Sequence, residues 1–170
     1  MITLLISSAI AAPADLMAAA EAELERAMTL QLPEQQAPYY VSMEVLDGHV
    51  STALASFGAV TSHNTDPYRN LRVDVRVGSA QLDNTNFSPS FGERSGMASR
   101  SLPHEDNVLA LRREMWLALD TAYKGATEQM AAKLSAFEGR PPSAIPDLAD
   151  APPLRCLLYT SDAADEHSWG

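Results

Sequence analysis

Alternating apolar and polar residues mark two segments of the chain as β-strands, over residues 39–45 and 69–77. The second segment places apolar and charged residues on opposite faces: Leu71, Val73, Val75 and Val77 against Arg72, Asp74 and Arg76. Such alternation is typical of an antiparallel sheet with one face on the core and one face in water.

The stretch between these two strands predicts further extended segments. Asp47-Gly48 is a hairpin signal, because glycine tolerates the positive φ that a tight turn needs. We expect extended segments over residues 49–57 and 58–62, which a single bent or bulged strand would also explain. A polar turn is predicted over residues 64–67.

Two segments have the periodicity of amphipathic helices. The first is predicted over residues 13–29, and the second from a cap at Asp106 or Asn107 to about Phe137. Tyr123 is expected at the edge of the second apolar stripe, with its hydroxyl outward. The two stripes consist of Met17, Ala20, Leu24, Ala27 and Met28, and of Leu111, Met115, Ala118, Leu119, Ala122, Ala126, Met130, Leu134 and Phe137.

The order of these elements predicts an α+β fold. Residues 81–100 are rich in Ser, Asn and Gly and predict a long loop. We therefore expect an antiparallel sheet of about four strands, packed by an N-terminal helix and a long C-terminal helix. This domain covers residues 13–139, and a Pro- and Asp-rich linker follows over residues 140–155.

The composition narrows the classes of partner. The formal net charge is -10 and the isoelectric point is about 4.7. Because an acidic surface repels phosphate backbones, we expect no nucleic-acid partner. No apolar run reaches the roughly 18 residues that a membrane span needs. Cys156 is the one cysteine, which excludes an internal disulfide and a Cys-rich zinc site.

The first twelve residues have two interpretations. Residues 2–10 form a short apolar run, and Ala9-Ile10-Ala11 has the small-residue pattern that signal peptidase accepts. We interpret residues 1–12 as a clipped signal peptide, although no Lys or Arg precedes the run. The alternative is an apolar start to the first helix. The first interpretation predicts a periplasmic or secreted protein, and the second a cytoplasmic one.

The motifs that carry chemistry are sparse. His104-Glu105 begins like a zinc-protease helix, but positions 108 and 109 are Val and Leu, so the second histidine of that motif is absent. We interpret the four histidines as surface residues: His49, His63, His104 and His167. No catalytic, cofactor-binding or metal-ligating residue is therefore predicted.

One polar segment, Asp83-Asn84-Thr85, has a structural and a functional interpretation. Asp, Asn and Thr side chains commonly bond the local backbone and fix turns. We favour such a turn over a loop that contacts a substrate.

Four stretches together resemble a known family. They are residues 38–40 (PYY), 55–59 (ASFGA), 71–86 (LRVDVRVGSAQLDNTN) and 110–124 (ALRREMWLALDTAYK). In this order they are similar to the N-terminal domain of the TldD/PmbA family of zinc metalloproteases, once labelled modulators of DNA gyrase. The resemblance runs from about Leu16 to Pro153, and an exported bacterial branch of the family is most similar.

The resemblance implies a protease ancestry without protease chemistry in this chain. Family members hold zinc on an H-E-x-x-x-H helix and on a Cys or His further along, all in the C-terminal half. None of those positions exists here, so we expect no cofactor and no activity. The family also implies homo- or heterodimers around an inner chamber, with unfolded peptides as substrates.

The C-terminal tail resembles translated sequencing-adapter DNA. Residues 156–166 read CLLYTSDAADE, which matches the translation of a transposase-library adapter. We therefore expect residues 156–170 to be non-native and the chain to be a truncated N-terminal fragment, with a missing C-terminal domain as its first partner. Without the tail's Asp162, Asp165 and Glu166 the net charge would fall from -10 to -7.

Two functions follow from these observations. The first is an N-terminal, non-catalytic domain of a TldD/PmbA-like metallopeptidase, which builds dimer and chamber contacts and guides peptides. The second is a non-enzymatic periplasmic binding or assembly module. The two differ in whether an H-E-x-x-x-H motif follows in the complete reading frame.

Overall fold

The computed structural model describes residues 2–5, 14–87, 96–139 and 145–149, and these form an α+β fold. Within them, four strands and two helices follow in the order β1, α1, β2, β3, β4, α2. Their bounds are Ile2–Leu5 for β1, Ala14–Ala27 for α1, Pro38–Ser56 for β2, Ala59–Val77 for β3, Met97–Ser101 for β4 and Val108–Ala136 for α2. The predicted α+β class is confirmed, with two helices packed on a sheet of which three strands are antiparallel.

One sheet contains the described strands in the order β1-β2-β3-β4. The pairs β2–β3 and β3–β4 are antiparallel, as predicted, whereas β1 runs parallel to β2. Parallel neighbours need a crossover connection, and α1 lies on that connection between β1 and β2. The sheet is therefore mixed at one edge.

The two faces of the sheet differ as the alternation predicts. On the inner face, Val73, Val75 and Val77 are buried with residues of both helices in one core. On the outer face, Arg72 is exposed, and its neighbours along β3, Asp74 and Arg76, are half-buried. The strand pattern thus identifies the wet face correctly.

The hairpin predicted at Asp47-Gly48 is wrong, because β2 runs straight through both residues. The Asp47 carboxylate accepts two hydrogen bonds from Arg69 on β3, at 2.9 and 2.7 Å. Gly48 faces the Tyr68 ring, and an added Cβ there would lie 3.0 Å from the phenol oxygen. Both residues therefore serve cross-strand contacts rather than a turn.

The reversal lies instead at Phe57-Gly58, which joins β2 to β3. Both residues have positive φ, 50° and 79°, as the two central positions of a type I′ hairpin turn require. The predicted polar turn at residues 64–67 is also wrong, since these residues lie inside β3. The segments predicted as four short strands are thus two strands of 19 residues each.

The predicted loop at residues 81–100 contains the last strand. Residues 97–100 belong to β4, which pairs with β3 so that Met97 lies opposite Asp74. The sequence MASRS lacks a clean alternation, and this explains why it was not predicted. Residues 88–95 of that loop lie outside the described part of the chain.

The N-terminal segment enters the sheet. Ile2–Leu5 pairs with residues 41–44 of β2, so the alternative of a helical start does not hold for these residues. The signal-peptide interpretation stays a prediction, as do the linker and the adapter-like tail. Residues 156–170 lie outside the described part of the chain.

Both helices lie within about two residues of their predicted bounds. Asn107 caps α2, because its side chain accepts hydrogen bonds from the backbone of Leu109 and Ala110 at 3.1 and 3.2 Å. The stripe of α2 is buried from Leu111 to Met130. Its last two predicted members are instead exposed, since the helix extends past the core: Leu134 and Phe137.

Two residues of the helices are buried contrary to prediction. Tyr123 is buried, and its hydroxyl donates to the Gln36 carbonyl at 2.9 Å and accepts from the Leu32 backbone at 3.1 Å. This hydroxyl satisfies the loop after α1, so it points inward rather than outward. On α1, Leu16 rather than Met17 enters the core, one position from the predicted stripe.

Candidate interaction surface

The residues considered as chemical candidates in the sequence are dispersed. His49 and His63 are exposed on β2 and β3, and His104 is exposed between β4 and α2. Their surface positions are confirmed, while His167 lies outside the described residues. In the described part of the chain, no group of three or more His, Cys, Asp or Glu side chains is placed to hold a metal.

A buried polar cluster lies where α2 meets the end of β3, around Lys133. Its ammonium donates to the carbonyls of Asp83 and Thr85 at 2.8 and 2.7 Å, and to the Asp147 carboxylate at 2.6 Å. Only 3% of the Lys133 side chain and 13% of the Asp147 side chain is exposed. The cation thus has three oxygen partners, which compensate its loss of hydration.

The segment Asp83-Asn84-Thr85 forms the turn that its side chains predict. The Asp83 carboxylate accepts from the Thr85 backbone and hydroxyl at 2.7 and 2.6 Å. Asn84 is fully buried, accepts from the Val77 backbone at 2.9 Å and donates to Gln129 at 3.2 Å. These bonds fix the loop to β3 and to α2.

The second carboxylate oxygen of Asp83 faces the first residues of β2. It accepts from the Tyr39 hydroxyl at 2.6 Å and lies 3.7 Å from a guanidinium nitrogen of Arg76. Burial, together with the hydrogen bond to the Asp83 carboxylate, raises the pKa of Tyr39 well above its ordinary value. The phenol therefore stays protonated and serves as a hydrogen-bond donor.

Arg76 connects this cluster to the outer face of the sheet. Its guanidinium lies 5.0 Å from the Tyr40 ring centroid and donates to Asp74 at 3.2 Å. Burial raises the pKa of Asp74, and the Arg76 cation opposes that rise. The charged groups here bind one another. We therefore infer that the cluster holds the loop at residues 83–85 against the sheet and α2.

Residues 145–149, inside the predicted linker, also bind the loop at residues 83–85. The Asp147 carboxylate accepts from the Asp83 backbone at 2.9 Å and from Asn86 at 3.2 Å, and the Leu148 backbone donates to Ala80 at 2.9 Å. Burial alone would raise the pKa of Asp147, but the hydrogen bonds from Lys133, Asp83 and Asn86 lower it. The carboxylate is therefore held ionised beside the Lys133 ammonium.

A projecting hairpin is the second feature of the described chain, and we call residues 49–67 the arm. β1 pairs only with residues 41–44 of β2, and β4 only with residues 70–74 of β3. At about 3.3 Å per residue, the arm is roughly 25–30 Å long. Every one of its residues is exposed, although isolated two-stranded hairpins are marginally stable in water.

The arm continues an apolar strip along the outer face of the sheet. The strip consists of Leu46, Val50 and Leu54 on β2 and Tyr68 on β3. Exposure rises towards the tip, from 39% at Leu46 to 53% at Val50 and 60% at Leu54. Large apolar side chains that recur on one exposed face are a feature of interaction surfaces.

The tip of the arm also exposes a large apolar side chain, that of Phe57. Phe57 is fully exposed and has a φ of 50°. A bulky residue in this left-handed region is strained, and such strain is concentrated at functional sites. The tip is therefore part of the candidate surface.

The two free edges of the arm differ in the number of charged and proline residues that would prevent pairing with a further strand. Residues 49–56 of β2 read HVSTALAS and contain no Pro, Lys, Arg, Asp or Glu. The β3 edge carries Asp66 and Pro67, which are the residue types that block edge pairing. The β2 edge thus accepts a further strand more readily.

Comparison with protein-family models, with curated proteins and with solved structures gave no match. Among the described residues, no helix has the length and apolarity needed to cross a membrane.

Sequence reasoning predicted extended segments over residues 49–57 and 58–62 but missed that they pair as one projecting hairpin, although a signal for it existed. Leu46, Val50 and Leu54 recur every fourth residue on one face of a strand. The Asp-Gly dipeptide obscured that pattern by placing a turn inside it. The buried ion pair of Lys133 with Asp147 had no sequence signal, because Asp147 lies beyond the end of α2, inside the predicted linker.

Proposed function

We propose that this chain is the non-catalytic N-terminal domain of a TldD/PmbA-like zinc metallopeptidase. In this role it contributes dimer and chamber contacts and guides extended peptides towards a catalytic C-terminal domain. Its partners are that C-terminal domain, a second subunit of the same or a related kind, and unfolded peptides. Zinc belongs to the C-terminal domain, and the protein works in the periplasm or outside the cell.

The arm is the observation that supports an assembly role. It exposes the apolar strip and Phe57 on a hairpin that the described residues leave uncovered. Burial of apolar area stabilises a complex by about 25 cal/mol per Å² before the costs of association. A docked arm therefore gains both hydrophobic contacts and the strand neighbours that a two-stranded hairpin lacks.

The buried polar groups support a non-catalytic role. Lys133, Asp83 and Asp147 bind one another and the backbone of two loops. A catalytic acid or base must reach a proton on a substrate, and these groups are committed to fold-stabilising hydrogen bonds. We assign them to stability.

The exposed strip fits a non-enzymatic periplasmic binding or assembly module as well. The complete reading frame from intact genomic DNA separates the two functions. An H-E-x-x-x-H motif downstream favours the metallopeptidase subunit, and a second domain without it favours the module. Tight, stoichiometric zinc on residues 13–155 would contradict both.

Shortening the arm tests the assembly role in the full-length protein. Deleting residues 50–53 and 63–66 removes four facing residue pairs and keeps the alternation of faces in both strands. We expect the assembled protein to dissociate into smaller species, because the apolar strip and tip no longer reach their contact. Sedimentation velocity measures this change directly.

The thermal unfolding midpoint of the shortened variant provides the control. It should stay close to the wild-type value, because the buried residues Val41, Met43, Val73 and Val75 are untouched. An unchanged assembly in a well-folded shortened variant would overturn the assembly role. So would a wild-type protein that stays monomeric.

A further inference from the structure

We infer that the arm pairs with the arm of a second copy of this chain, through the β2 edge at residues 49–56. The two strands run antiparallel about a two-fold axis at Thr52, and together the two hairpins form a four-stranded sheet. This inference rests on the proposed assembly role and names the partner and the register.

The charged and proline residues of the two strands decide which edge of the arm can pair. The β2 edge has no charged or proline residue from 49 to 56, whereas the β3 edge has Asp66 and Pro67. Pro67 has no backbone N–H to donate, and charged residues disfavour edge pairing. A strand added to the arm therefore lies along β2, beyond the residues that β1 occupies.

The partner is set by the self-complementarity of this edge. With Thr52 on the axis, Val50 of each copy lies opposite Leu54 of the other, and Ser51 lies opposite Ala53. Thr52 faces Thr52 of the second copy. Apolar and Thr–Thr pairs of this kind stabilise antiparallel strands, and no like charges oppose one another. The two halves of the apolar strip become one surface.

Electrostatic repulsion between two acidic copies does not prevent this pairing. Each sheet begins about six residues from Thr52, so the two bodies lie roughly 40 Å apart at 3.3 Å per residue. The Debye length is about 8 Å at physiological ionic strength. The net charge of -10 on each chain is therefore screened, while the uncharged edges make contact.

A charge exchange at Thr52 tests the partner and the register together. T52K alone and T52E alone should each weaken self-association by about tenfold or more, because like charges meet on the axis. An equimolar mixture of T52K and T52E should restore association, because opposite charges now meet. Sedimentation equilibrium of the 170-residue chain measures all three.

Asn64 provides the matched control. It lies directly opposite Thr52 on β3, on the same face of the arm, and both residues are exposed. N64K and N64E should leave self-association unchanged, because the β3 edge does not pair. Far-UV circular dichroism checks that every variant keeps its fold.

Different experimental outcomes would contradict the self-pairing of the arms and the assembly role. A wild-type chain that stays monomeric up to high concentration overturns the self-pairing. A mixture of T52K and T52E that fails to restore association overturns it as well. If arm shortening still dissociates the full-length assembly, the assembly role survives and the arm contacts a different polypeptide. If shortening changes nothing, both fail.

Discussion

Replacing Lys133 with methionine should lower the free energy of unfolding by about 3–5 kcal/mol, because it removes one partner of a buried ion pair. Methionine keeps most of the side-chain volume but donates no hydrogen bond. The Asp147 carboxylate and the carbonyls of Asp83 and Thr85 lose their cation. Since domains are stable by only about 5–15 kcal/mol, urea unfolding should show a large shift of the midpoint.

The difference between wild type and K133M should depend on pH. The folded-state pKa of Asp147 is lowered, so the carboxylate contributes stability above its unfolded value of about 3.9, which is lost as the pH falls through the folded pKa. The difference should therefore be largest near neutral pH and shrink below about pH 4. Burial raises the pKa of Asp74, an effect of opposite sign that both variants share and that cancels.

Lys124 provides the control for this substitution. It pairs with Asp120 on the same helix at 2.7 Å, but the Lys124 side chain is 53% exposed and that of Asp120 is 28% exposed. K124M should cost only about 0.3–0.5 kcal/mol, as exposed helix pairs do. Equal losses for K133M and K124M would show that the Lys133 cluster does not fasten the loops.

Replacing Gly78 with alanine should cost about 2–5 kcal/mol, from left-handed strain and from overpacking together. Gly78 has a φ of 106°, and an added Cβ would clash with the Leu82 carbonyl oxygen and lie 3.2 Å from the Asp83 Cα. Because these are backbone atoms, the whole loop must shift. Chemical denaturation measures the loss.

Gly58 isolates the steric part of that loss. It also has a positive φ, 79°, but nothing lies within 4 Å of an added Cβ. G58A should therefore cost only the left-handed strain, about 1–2 kcal/mol. A G78A variant that is no less stable than G58A would contradict the close packing of the loop against β3.

The helices and the faces of the central strands could be predicted because burial alone sets their periodicity. Val73 and Val75 face the core, as the alternation of apolar and charged residues predicted. Asn107 caps α2, as its short polar side chain predicted. Local chemistry and the fold agree at these positions. A single sequence is sufficient there.

The turn of the arm could not be predicted, because two local signals competed. Asp47-Gly48 has the stronger turn composition, but Arg69 and Tyr68 on the facing strand hold it extended. Phe57-Gly58 forms the turn although Phe57 is a poor residue for positive φ. The outcome depends on cross-strand contacts that are known only once the register is known.

The Lys133 cluster was beyond sequence reasoning for a related reason. Lys133 falls on the apolar side of α2, where a lysine usually extends to solvent. Its partners come from residues 83–85 and from Asp147, on either side of the helix in sequence. The pairing is a property of the folded chain, not of any local pattern.

Hydrogen exchange of the arm amides tests the assembly account most directly. We expect amides of residues 49–56 to exchange rapidly in the dilute 170-residue chain and to become protected in the assembled full-length protein. Amides of residues 71–77, inside the sheet, should be protected in both and serve as the reference. Equally rapid exchange of residues 49–56 in both states would contradict the account, because an arm that remains open to water makes no contact.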